Sequence, residues 1–102
     1  MRKKSDNGMW IVSYVKWRSK RNGRLEVYRT YSRAFRIESY ARAQYRAIKN
    51  SMIDVGYKFT DISEECYNEC EGVRGYVSAQ NGANYSSDFV VLYIVRNDPL
   101  YD

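Results

Sequence analysis

The chain contains no histidine. Imidazole acid/base catalysis, Ser-His or Cys-His activation of a nucleophile and His-ligated metal sites are therefore excluded within its 102 residues. Cysteine is nearly absent as well. Cys66 and Cys70 are the only two, too few for a disulfide framework or a full zinc ligand set, and they are expected to be reduced thiols of an intracellular protein. The longest apolar run, residues 89–95, has seven members, against the roughly 20 that a membrane helix needs. Met1-Arg2-Lys3-Lys4 is followed by Ser5-Asp6-Asn7-Gly8 rather than by the apolar core of a signal peptide. A soluble, cytoplasmic protein with no membrane partner is expected.

What is present is apolar and aromatic. At 44% hydrophobic and 16% aromatic residues, the chain is too rich in core-forming side chains to stay disordered, and its length suits one domain. Charge is divided unevenly along it. Residues 1–50 hold 14 Lys and Arg against Asp6, Glu26 and Glu38, a net +11, whereas residues 51–102 hold Lys58, Arg74 and Arg96 against nine acids, a net −6. Such poles attract a polyanion to one end, or attract each other between two molecules, so a homodimer is one expectation.

Periodicity gives the elements. Residues 1–8 are expected to form a flexible basic tail. Residues 9–18 alternate as a strand, with Trp10, Val12 and Tyr14 on one side and Ile11, Ser13, Val15 and Trp17 on the other. Asn22-Gly23 suits a hairpin turn, and residues 24–31 return as a second strand with Leu25 and Val27 opposed to Arg24, Glu26, Tyr28 and Thr30. A helix is predicted from Ser32 or a neighbour to about Val55 with Gly56 as its stop; its core stripe is Ile37, Ala41, Tyr45, Ile48, Met52 and Val55. Residues 57–62 suggest a short strand, and residues 63–71 either a short acidic helix capped by Asp61 or Ser63 or a loop or continued strand. Residues 73–80 form a further strand. Residues 89–95, without polar alternation, form a central strand covered on both faces, by the helix on one and by a second layer or partner chain on the other. Residues 97–102 are a C-terminal tail. The fold class is α+β: one domain over residues 9–96, an antiparallel sheet of four to five strands with one long helix on one face, in the order β-β-α-β-β-β.

Function is sought in the basic, aromatic stretch 16–50. Residues 24–46 contain six arginines and no lysine, and the arginine fork suits bidentate phosphate contacts. The candidate nucleic-acid-binding residues are Lys16, Arg18, Lys20, Arg21 and Arg24 about the hairpin, Arg42, Arg46 and Lys49 as a helix stripe, and Trp17 and Tyr28 as stacking rings. Three like charges at i, i+4 and i+7 repel in an isolated helix, so something else must favour that stripe. Trp10, the Asn22-Gly23 turn and the helix start at residues 38–43 are arranged in a way that resembles small DNA-binding domains of the AP2 and integrase arm-binding type. That resemblance spans about half the chain and implies a sheet that enters the major groove; no Gly-Phe-x-Thr joint precedes the helix.

Two other chemistries are weaker. Cys66-x-x-x-Cys70 lacks further ligands for a metal, and Glu64, Glu65, Glu69 and Glu71 crowd one polar segment, as a solvated face does. No cofactor, metal or catalytic residue is expected. The reading is a non-enzymatic DNA- or RNA-binding domain. The alternative is a protein-binding inhibitor or adaptor, of the small virus-encoded kind that blocks a host nucleic-acid-handling or defence enzyme. Its eleven tyrosines suit an interface, and its acidic residues 54–71 imitate phosphates as the basic half docks on an acidic protein surface.

Overall fold

A computed structural model describes residues 8–19, 23–65, 70–81 and 84–97. Five strands, β1 (Met9–Ser19), β2 (Leu25–Phe35), β3 (Lys58–Asp61), β4 (Cys70–Asn81) and β5 (Asn84–Asn97), form one sheet in the order β2-β1-β5-β4-β3. All neighbouring pairs are antiparallel. One helix, α1 (Glu38–Asp54), follows β2 and packs on one face. The α+β class, the element order and the single covering helix are as the sequence implies. The expected tails fall outside the described residues, apart from Gly8 and Asn97.

The core lies between α1 and the sheet. Val12 on β1 and Val90, Leu92 and Ile94 on β5 are almost wholly inaccessible, and Trp10, Ala41, Tyr45 and Val73 close around them. The uninterrupted run 89–95 lies in β5, the middle strand of five. Its Val90, Leu92 and Ile94 are buried on the helix side, while Phe89, Val91, Tyr93 and Val95 on the other face are half-buried, and the second layer expected there does not occur among the described residues.

Several boundaries differ from the sequence expectation. The first six residues of the predicted helix go elsewhere: β2 continues to Phe35, and α1 begins at Glu38 with Ile37 at its N-cap and no side-chain cap. The reason is pairing. β1 starts at Met9, and its ladder matches Tyr31 to Tyr14, Arg33 to Val12 and Phe35 to Trp10, so strand periodicity outweighs local helix propensity. Ile37 and Val55, assigned to the core stripe, are 50% and 67% exposed because they flank the helix rather than lie within it. The helix does stop as expected. Gly56 has φ +107°, its N–H donates to the Ile53 carbonyl (3.0 Å), and the Tyr57 N–H donates to that of Met52 (3.0 Å), a Schellman arrangement.

Of the alternatives for residues 63–71, the helix is limited to one 3₁₀ turn, Ser63–Glu65, while Cys70 and Glu71 are strand and begin β4. Cys66 lies outside the described residues. The expected cap is nevertheless present: Asp61 Oδ1 accepts hydrogen bonds from the Ser63 N–H (2.8 Å) and hydroxyl. These bonds hold the Asp61 carboxyl below its usual range.

Candidate nucleic-acid interface

Register divides the predicted site between two faces. A bulge between Lys16 and Trp17 lets Lys16 oppose Arg29 while Trp17 opposes Val27. Tyr28 thereby joins Arg18 on the helix side, whereas Thr30, opposite Val15, joins Leu25 and Val27 on the other. The two proposed stacking rings, Trp17 and Tyr28, are thus on opposite sides of the sheet.

On the helix side most predicted cations already have partners. Arg18 Nε donates to Asp88 Oδ1 at 3.0 Å, its guanidinium lies 4.4 Å from the Tyr28 ring, and the Tyr28 hydroxyl donates to Asp88 Oδ2 at 3.3 Å. Arg42 donates to Glu38 (2.8 Å) and to Glu71 on β4 (3.0 Å), bonds that raise its pKa and lay its guanidinium 5.3 Å from the Trp10 ring. Lys49 helps to hold the Asp61 carboxyl ionised. Arg42 and Lys49 of the stripe thus have acidic neighbours, which offsets part of the repulsion of three cations on one helix. Arg46 and Arg24 are exposed, and Lys20 and Arg21 lie outside the described residues.

The face away from α1 is different. Its central row crosses all five strands as Val27, Trp17, Phe89, Tyr76 and Lys58, each opposite the next in register. Three aromatic side chains thus stand side by side on β1, β5 and β4, over about 10 Å at the usual strand spacing. The next row is Thr30, Val15, Val91, Arg74 and Thr60. Beyond it Tyr93 stands beside Gly72, where Ile62 folds over the sheet. Tyr76 is 48% exposed, and Trp17 and Phe89 are half-buried. Among the described strand residues, no Asp or Glu is on this face: Glu26, Asp61, Glu71 and Asp88 all occupy helix-side positions.

Charge signals in the sequence could not locate this row, because its rings come from distant segments and only the strand order unites them. On the other face, Tyr57 is buried beside Tyr28, and burial together with that neighbouring hydroxyl pushes its phenol above the ordinary value of 10.0. The unfolded chain releases this proton near pH 10 while the folded chain keeps it, so stability falls as pH rises above 10, by up to about 1.4 kcal/mol per pH unit. Tyr57→Phe is expected to flatten that fall, as read from thermal unfolding between pH 9 and 11.5.

An antiparallel five-stranded sheet with a single helix on one face defines a small α+β domain. Comparison with known proteins finds no matching family, no similar curated protein and no similar solved structure. No helix among the described residues is long and apolar enough to cross a membrane.

Proposed function

We propose that this protein is a non-enzymatic nucleic-acid-binding module that receives single strands on the sheet face opposite α1. The row Trp17, Phe89 and Tyr76, on a face whose described strand residues include no carboxylate, is the observation that carries the reading. Aromatic rings on a sheet stack on unpaired bases of any sequence, and each such contact is worth about 1–3 kcal/mol. Lys58, at the end of the row, and Arg74, in the row beside it, stand where the phosphates of a strand laid across the rings would pass. Arg24 adds charge at the hairpin end. Double-helical DNA keeps its bases stacked internally, so single strands are favoured.

Trp17 reports on this directly, since the only other tryptophan, Trp10, is buried under the helix. Titration with single-stranded DNA and RNA is expected to quench Trp17 fluorescence, with an affinity that drops steeply as salt rises and exceeds that for duplex. No quenching and no retention of either single strand at low salt would overturn the proposal. A protein partner is the second reading, and the aliphatic side chains Ile11, Val15, Val91 and Val95 on the same face favour it. A stoichiometric protein complex that survives nuclease and high salt, and is lost on Val91→Glu, would establish it instead.

A further inference from the structure

We propose that the cleft between α1 and the β1–β2 pair binds a phosphate monoester, of a free nucleotide or of a nucleic-acid 5′ end, between Lys16 and Arg29. The cleft has a volume of about 360 Å³, and Tyr14, Lys16, Arg29, Tyr31, Gln44 and Ser51 contribute to its lining. It lies on the helix side, so it is independent of the stacking row and of the function proposed from it.

The two cations are directly opposite in register on neighbouring strands, an arrangement that destabilises a sheet when both charges have one sign. Lys16 is also half-buried, with its ammonium 5.5 Å from the Tyr14 ring and 5.3 Å from that of Tyr57. No carboxylate contributes to the lining. Asp88, which does act on Lys16, is already engaged by Arg18 and Tyr28. Burial and the Arg29 charge accordingly lower the Lys16 pKa.

An anion between the two cations converts their repulsion into two attractions. Phosphate suits this donor set better than a carboxylate, because it has enough acceptor oxygens for the Lys16 ammonium and the Arg29 fork together, with the Ser51 hydroxyl at the wall. The volume is at the small end of ligand pockets, sufficient for inorganic phosphate or a mononucleotide-sized group.

Thermal unfolding would be followed in inorganic phosphate, in AMP and in chloride of equal ionic strength. A saturable rise in Tm above the chloride control is expected, together with calorimetric binding that weakens at least tenfold in Lys16→Met and in Arg29→Met. Arg29 is exposed on the edge strand, so its variant keeps the test decisive should Lys16→Met fail to fold. Oligonucleotides with and without a 5′-phosphate distinguish the source: preference for the phosphorylated end over AMP assigns the site to a nucleic-acid terminus, and the reverse to a free nucleotide. A Tm in phosphate no higher than in chloride, or an undiminished response in Arg29→Met, would overturn the proposal.

Discussion

Trp17→Ala and Tyr76→Ala are each expected to weaken single-strand binding by about 5- to 150-fold, the equivalent of roughly 1–3 kcal/mol of stacking. Arg42→Gln is expected to leave affinity within about twofold. The contrast follows from where the side chains are held. Tyr76 is 48% exposed on β4, so its ring is available to a base and its removal costs little packing. Arg42 lies on the other side of the sheet, bound to Glu38 and Glu71, and its charge is already countered. Tyr28→Ala is the informative control for rings, because Tyr28 is bonded to Asp88 on the helix side and should have no effect on stacking. Circular dichroism of each variant separates loss of binding from loss of fold. Equal losses in Tyr76→Ala and Arg42→Gln would return the interface to the helix stripe.

The sequence makes some of this legible and hides the rest for definite reasons. Alternation over residues 10–17 correctly opposes Trp10, Val12 and Tyr14 to Ile11, Val15 and Trp17, since side-chain direction in a strand depends only on parity. The unbroken run at residues 89–95 marks the middle strand, and Gly56 marks the helix end by its positive φ. Residues 32–35 mislead because Ser-Arg-Ala-Phe has no strong local preference, and pairing with the start of β1 decides their state. The bulge at Tyr28 is likewise set by a partner strand. The arginine stripe resembles a polyanion site most while Glu71 is out of view; once β4 is in place, Arg42 at its start is bound between Glu38 and Glu71, whereas Arg46 stays exposed. The row of rings exists only through register, as Trp17, Phe89 and Tyr76 belong to segments that no local pattern connects.

Two adjacent residues test whether the outer face is open. Leu92 is fully buried on the helix side of β5, between Tyr14 on β1 and Val73 on β4. Leu92→Ala is expected to lower stability by about 3–5 kcal/mol, through lost transfer energy and the cavity that remains. That is a large share of the roughly 5–15 kcal/mol holding a domain of this size together. Val91 precedes it on the same strand, points to the other face and is only half-buried. With no described element packed over Val91, Val91→Ala should cost about 1 kcal/mol or less, since little apolar area is removed from water in the first place. Chemical denaturation of both variants at several protein concentrations makes the comparison. A large cost for Val91→Ala with a concentration-dependent midpoint would mean that a second copy covers the face, because only an associating species gains stability by mass action. A small, concentration-independent cost leaves the aromatic row open to solvent in the free protein, which stacking on a nucleic-acid strand requires.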